Sequence, residues 1–539
     1  MRLSRTPFLG ALLLLSLVSN SNATQPPRPG QPWPDSIRAW LASPRNVAPA
    51  RAFLPLVRQI QANRAAVLRG DITPAAAAAR GGVAVSGVKS VPVLLAKFSN
   101  TGADPYPPAN LQRQLFDGPW PTGTMADYYR EISYGAFSVN GTVAPWRTLT
   151  RNDAYYEGPS GCNGICNASR VGDFLRESLA AHDAAVNFAS YDNDGPDGVP
   201  NSGDDDGFVD FVAFVHPEHG GECGGNNNIW SHRYVLSGWG GGPFQTDDAR
   251  HGGGFIQVDD YVIMPATSCD GATMIEIGVF CHEFGHAFGL PDLYDTDPGN
   301  GDSAGLGNWD LMASGSYGGD GKSPARPVHM SAWSKEFLGW ISPADVTSDL
   351  NPATVPRFED NASAFRIRIS PTQYYLVYNI QRVLFDANLP TSGLAILRVN
   401  ETVVNAGLAN NRVNADENNQ GVELAEADGR RDLDNNANRG DSGDLYPGSS
   451  NNRRFDNSSN PRSTGNAAVC DISAAGNPMT ARLLVSTGAC APPPSGCSSL
   501  IVPASAVHPG PEWLLPLLPA LAAGAGLAGL RLRQRRSAS

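Results

Sequence analysis

A chain of 539 residues with 41% hydrophobic content is long enough for more than one domain and supports packed cores. Its formal charge of −12 and pI near 5.2 argue against a nucleic-acid binder, because phosphate contacts need a basic face that appears nowhere before the last residues. The eight cysteines include no Cys-x-x-Cys pair, which argues against a cysteine zinc ribbon. In an exported chain they read as disulfides, with Cys162 and Cys166 close enough to pair locally.

Residues 1–23 combine Arg2 and Arg5, an apolar run from Pro7 to Val18 and the small-residue site Ser21-Asn22-Ala23, the three-part pattern of a secretory signal peptide. Residues 24–88 are rich in Pro, Ala and Arg around one helix-like piece, "ARAFLPLVRQIQANRAAVLRG", and read as a pro-segment or leader, with a plain linker as the alternative. At Lys89 the text changes. "KSVPVLLAKFSN" is a buried-strand run that opens a main domain of mixed strands and helices over 89–348, including the helix-like "MADYYRE" and "VGDFLRESLAAHDAAV".

Inside that domain the Asp/Gly-rich loop "YDNDGPDGVPNSGDDDGFVD" places Asp192, Asp194, Asp197, Asp206 and Asp210 together as candidate calcium donors, with a solvated turn as the competing reading. "FRIRIS", "YYLVYNI" and "GLAILRVN" alternate apolar and polar residues, so a β-rich domain, a β-sandwich, is expected over 349–489. Its acidic, Asn-rich insert over 414–448 reads first as surface loop and only second as a cation binder. A Pro/Ser-rich linker over 490–512 precedes the tail 513–539, in which an apolar run ends on Arg531, Arg533, Arg535 and Arg536. That pattern fits a sorting signal or membrane anchor at the cell surface.

The sharpest chemical signal is "CHEFGHAFGLPDLYD", which begins at Cys281. On a helix over 274–288, Ile277, Cys281, Phe284 and Phe288 form one apolar stripe, while His282 and His286 lie nearly opposite. Imidazoles at i and i+4 can hold one ion, and Glu283 sits close enough to take a proton from a water that the ion polarises. Zinc suits this donor set. A catalytic zinc needs a third protein ligand and an open position. Gly289 can adopt the positive φ that ends a helix and Pro291 blocks its continuation, which would bring Asp292 back toward the ion. Asp295, Asp297 or Glu336 remain alternatives for that place.

Farther on stands "GNWDLMASGSY". The pattern His-Glu-x-x-His-x-x-Gly-x-x-Asp followed by this Met-containing segment resembles the metzincin branch of zinc peptidases. More closely it resembles the immune inhibitor A family, the M6 peptidases of bacteria; "IWSHRY", "QYYLVYNIQ" and "AEADG" extend the likeness. The resemblance implies an α+β fold, with a mixed sheet and an active-site helix ahead of the β-rich domain. It also implies a secreted zinc endopeptidase in which His282, His286 and Asp292 are ligands, Glu283 is general base and acid, and Met312 lies in the turn beneath the metal. Tyr317 and His232 are candidates for stabilising the oxyanion. Protein or peptide substrates, a monomer, and membrane contact only through the tail are expected. No Cys precedes Cys162, so a latency device in residues 24–86 rests on a carboxylate such as Asp35 or Asp71 or on steric blocking. The competing function is a surface adhesion protein with a structural metal.

Overall fold

Every residue from Val91 to Lys97 is buried, and the two faces of this strand feed different cores. Val91, Val93 and Leu95 join one apolar cluster, whereas Leu94 and Ala96 join another. Side chains on a strand alternate with a period of two, and a sheet covered on both faces therefore reads as a continuous apolar run. The computed structural model in which this is seen describes residues 23–42, 49–73, 76–77, 84–297 and 299–490. The signal stretch up to residue 22 and the apolar tail lie outside the described residues. Among the described residues no helix is long and apolar enough to cross a membrane.

The strands of the main sheet are β1 (Ala23–Thr24), β2 (Gly87–Lys97), β3 (Phe137–Val143), β4 (Arg147–Thr148), β5 (Val212–His219), β6 (His232–Val235) and β9 (Asp260–Thr267), in the order β1-β6-β9-β5-β2-β3 with β4 beside β2. β7 (Phe244–Ala249) and β8 (Phe255–Val258) form a separate antiparallel pair. β2, β3, β4, β5 and β9 run parallel. β6 runs against β9, and β1 runs against β6. Three helices pack on one face: α1 (Leu54–Arg69) through Val57 and Ile60, α2 (Met125–Ile132) through Tyr128 and Tyr129, and α4 (Ile277–Ala287) through Phe280 and Phe284. α3 (Val171–His182) covers the opposite face through Phe174, Leu175 and Leu179. A capping box starts α2: Thr124 Oγ1 accepts from the Asp127 amide, and Asp127 Oδ2 accepts from the Thr124 amide.

Downstream, β10 (Ala344–Asp345), β12 (Phe365–Ser370), β13 (Gln373–Ile380), β14 (Gly393–Asn400) and β15 (Val422–Leu424) make a five-stranded sheet. β11 (Leu350–Val355), β16 (Ala468–Cys470) and β17 (Met479–Leu484) make a three-stranded one. The alternation predicted for "YYLVYNI" has a two-sided result. Tyr375 and Val377 share a cluster with Val355, Ala481 and Leu483 of the smaller sheet, while Tyr374, Leu376 and Tyr378 join the core beneath α4. Arg64 of α1 reaches the same sheet, donating to the Tyr374 hydroxyl at 2.6 Å and to Glu401 Oε2 at 3.0 Å.

The expectation of a surface loop over 414–448 is corrected. Gln420, Leu433, Asp444 and Leu445 are buried, and the insert supplies carbonyl acceptors to the segment before Met312: Leu433 to the Ala304 amide at 2.9 Å and Arg439 to the Asn308 amide at 2.6 Å. A segment whose backbone needs partners away from water draws the loop inward. Disulfides join Cys162 to Cys166, Cys223 to Cys269 and Cys470 to Cys490; Cys281 is a buried free thiol.

Candidate active site

α4 presents its histidines because the chain around it leaves no other course. All eleven of its residues are buried, so the histidine side as well as the apolar stripe is covered by protein. Gly289 sits at φ +99, a conformation only glycine adopts cheaply, and there the helix ends. The Leu290 carbonyl turns back to accept from His286 Nδ1 at 2.8 Å, and the Leu311 carbonyl accepts from His282 Nδ1 at 2.9 Å. With the Nδ1 protons so engaged, both Nε2 lone pairs face inward. The Leu293 amide donates to the Met312 carbonyl at 2.8 Å, which fixes the strand carrying Asp292 against the turn containing Met312. Met312 lies under α4, where a Cβ on Gly285 would stand 2.5 Å from its sulfur; glycine here lets the turn close on the helix.

The three predicted ligands converge. His282 Nε2 and His286 Nε2 are 3.0 Å apart, and Asp292 Oδ1 is 3.3 Å and 3.2 Å from them. A tetrahedral ion with bonds of about 2.0–2.1 Å spaces its ligands about 3.3 Å apart. Asp292 Oδ1 receives no hydrogen bond, and a fourth lone-pair atom, the Thr24 carbonyl oxygen, lies 3.2 Å from His282 Nε2. Buried acceptors crowd together in this way when a cation joins them. Burial pushes the Asp292 carboxyl up, but His286 and His282 more than reverse this and hold it below the ordinary carboxylate range. Asp292 is oriented by Asn411, whose Nδ2 donates to Oδ2 at 2.6 Å and whose Oδ1 accepts from the Asp292 amide at 2.7 Å. Glu283 is fully buried and neither of its oxygens has a hydrogen-bond partner. Burial, then the charges of Asp292 and Glu222, push its carboxyl well above the usual range, the condition of a group able to hold a proton.

The chain's own N-terminal segment fills the cleft. Ala23 and Thr24 pair antiparallel with Arg233 and His232 on the edge of the sheet. Successive carbonyls of the segment each find a donor: Thr24 from the Tyr294 hydroxyl at 2.6 Å, Gln25 from Trp230 Nε1 at 2.8 Å, Pro26 from the Tyr317 hydroxyl at 2.7 Å and Pro27 from Arg439 Nη1 at 2.8 Å. The Gln25 amide donates to the Ser231 carbonyl at 3.3 Å, and its side chain donates to Ser316 Oγ at 2.6 Å. Trp33 closes over the top, 6.0 Å from the Trp230 ring and 5.4 Å from that of Tyr294. Beside this track lies a cavity of about 330 Å³ lined by Glu222, Val279, Tyr317 and Pro324, among others. The arrangement of an extended peptide, a carbonyl at the ion site and a buried carboxylate alongside can hold a peptide bond for attack by water.

Several expectations need correction. His232 pairs across strands with Ile263, so its side chain points to the α3 face, away from α4; its nitrogens contact the Trp230 carbonyl at 2.7 Å and the Tyr261 hydroxyl at 2.8 Å. It is not an oxyanion donor. Tyr317 does reach the cleft, but its hydroxyl is committed to Pro26, two residues from Thr24. Asp35 and Asp71 are exposed, so the segment blocks the cleft with backbone atoms and neither carboxylate does so. Of the candidate calcium donors, Asp192 and Asp194 come together, joined by Asp205, while Asp197 is exposed and outside the group. Asp206 faces Arg51 at 3.7 Å and Asp210 faces Lys89 at 3.2 Å. The residue that sequence reading passed over is Tyr294, which stands two positions after Asp292 inside the quoted motif; Glu222, Trp230 and Asn411 carry no local signal.

Residues 115–341 match the family described as immune inhibitor A peptidase M6, catalytic domain. Over 255 residues the chain is 35% identical to the pre-pro-metalloprotease PrtV of Vibrio cholerae, in two strains, covering 44% of this chain and 26% of that protein. Over 230 residues it is 34% identical to immune inhibitor A of Bacillus thuringiensis subsp. alesti, covering 40% of this chain and 31% of that protein. The chain thus spans less than a third of the length of these relatives. The converging lone-pair atoms of the site lie on, or against, the matched stretch, and over residues 115–341 the chain is similar to the catalytic domain of the immune inhibitor A, M6 peptidases.

Proposed function

We propose that the protein is a secreted zinc endopeptidase, folded here in a latent form. His282, His286 and Asp292 would hold the zinc, since two neutral imidazoles and a carboxylate suit that ion better than calcium or magnesium. When bound, zinc polarises a carbonyl and lowers the pKa of water. Glu283 takes the proton from the attacking water and returns it to the leaving amine, as its buried and unpaired carboxylate permits. Tyr294 donates to the carbonyl oxygen of the bound peptide as charge develops there. Trp230 and Tyr317 hold the following carbonyls, so a substrate would lie where residues 24–26 lie.

The observation that carries this reading is the meeting of His282 Nε2, His286 Nε2, Asp292 Oδ1 and the Thr24 carbonyl oxygen. Export by the signal stretch 1–23, a role for 24–88 as pro-segment, an M6 catalytic domain of metzincin type over 89–348, a β-sandwich over 349–489, a surface-sorting tail and calcium at Asp192, Asp194 and Asp205 belong to the same proposal. So does a monomer acting on proteins.

The test is Glu283→Gln in the full chain, assayed on a quenched fluorescent protein substrate after the N-terminal segment is removed by limited proteolysis. Hydrolysis drops by about 10²- to 10⁴-fold with zinc content unchanged. Equal rates in the two proteins would refute the role of Glu283.

A further inference from the structure

The insert over 414–448 carries a second acidic group, separate from the histidine cluster. Ligand oxygens of Glu426, Asp428 and Asp444 all lie within 4.8 Å of one another. Calcium binds oxygens at about 2.3–2.6 Å, so oxygens on opposite sides of one ion stand about 4.6–5.2 Å apart. The spacing fits a single ion.

Asp444 supplies the independent sign. It is 1% exposed; its Oδ2 accepts from Trp309 Nε1 at 2.8 Å and from the Asp441 amide at 2.9 Å, while its Oδ1 has no partner. Glu426 is 4% exposed, and its oxygens accept from the amides of Asp432 at 2.7 Å and Leu433 at 3.1 Å. Each of these oxygens keeps a second lone pair. Among the described residues two arginines stand by the cluster: Arg430, whose Nε lies 3.4 Å from Asp428 Oδ2 on a side chain that is 67% exposed, and Arg431, which acts on Glu426 from a side chain paired with Asp434 and 54% exposed. Solvated arginines so placed do not neutralise three carboxylates.

We propose that Glu426, Asp428 and Asp444 bind a calcium ion that locks the insert against the turn beneath the active site. The donors are all hard oxygens, which select calcium over zinc. The ion would join the chain just after β15 to the chain just before Tyr446, which bonds Leu394 of β14. From there the lock reaches the catalytic floor by three links: Asp444 to Trp309, Leu433 to Ala304, and Arg439 to both Asn308 and Ser314.

The experiment uses the full chain as Glu283→Gln, zinc-loaded to prevent self-digestion, with terbium and calcium as probes. Trp309 touches Asp444, so terbium bound there emits on tryptophan excitation. Calorimetric titration counts calcium ions. Adding Asp444→Asn or Asp428→Asn removes one calcium from the stoichiometry or weakens that step by at least about tenfold, and cuts the sensitised emission by a similar factor. Asp192→Asn leaves that emission in place. Asp428 is the less enclosed of the carboxylates; if Asp444→Asn fails to fold, Asp428→Asn, checked by its melting curve, decides alone. Unchanged stoichiometry, affinity and emission in a folded Asp428→Asn protein overturns the proposal.

Discussion

The Tyr294 hydroxyl and the Thr24 carbonyl meet at 2.6 Å, and His282 Nε2 approaches the same oxygen to 3.2 Å. One carbonyl thus receives the donor expected at a developing oxyanion and faces the place of the ion. Removing the donor alone should leave metal binding intact, because Tyr294 is no part of the His282, His286 and Asp292 set. Tyr294→Phe lowers kcat by about 10²- to 10³-fold with KM little changed. Steady-state kinetics on a peptide substrate, beside a zinc assay, checks both halves; a loss confined to KM would assign the residue to ground-state binding.

The proposed latency rests on residues 23–27 lying in the cleft. Gln25→Pro deletes both the amide that donates to the Ser231 carbonyl and the side chain that donates to Ser316 Oγ, a loss of about 2 kcal/mol of docking. The unprocessed chain then hydrolyses substrate roughly thirtyfold faster, since more of it has the cleft open at any moment. An unaltered basal rate in a folded Gln25→Pro protein would show that something else keeps the cleft shut.

Asn411 orients the Asp292 carboxylate, the proposed third ligand, from another part of the chain. Asn411→Ala weakens zinc binding by about 10–100-fold, the usual cost of losing a hydrogen bond that positions a ligand. Competition with a chelator of known affinity reads this directly. Retained affinity would mean that the Leu293 to Met312 backbone contact suffices to place Asp292.

The first acidic cluster should make stability depend on pH. Burial, then neighbouring aspartates, raise Asp192 from 3.8 to about 7; burial raises Asp206 and Asp210 to about 6 despite Arg51 and Lys89. A raised carboxylate binds protons in the folded chain that the unfolded chain has already released, so stability falls as pH climbs from about 4 to 7. Melting temperatures in calcium-free buffer decline over that window, and Asp192→Asn makes the decline shallower. Saturating calcium flattens it. A slope that is the same with and without calcium would remove the cation from the account.

What was legible in the sequence was local. The ligand side of α4, its stop at Gly289 and the return of Asp292 all follow from residues within one stretch of chain, where helical period and glycine chemistry decide the geometry. His232 was misjudged because its direction depends on the register of β6 against β9, a long-range pairing with no local signature. Tyr294 sat in plain view, yet its aim is set only by the path the chain takes after the helix has ended at Gly289. Asn411 comes from 119 residues beyond Asp292, and nothing in its neighbourhood marks it. The two-residue strand Ala23–Thr24 is too short to show a period, so the occupant of the cleft was legible only as a Pro-rich leader.

The position of β6 has a consequence for how targets are chosen. It is bonded to β9 on one side and to two borrowed residues on the other. Once these depart, a bare strand border faces the cleft, lined by donors that engage main-chain carbonyls. Such a border grips any polypeptide able to lie straight for about four residues, whatever its side chains. On the proposed function, discrimination would fall to the target's own folding: a tightly packed protein would offer no slack stretch, whereas a loop or a terminus would.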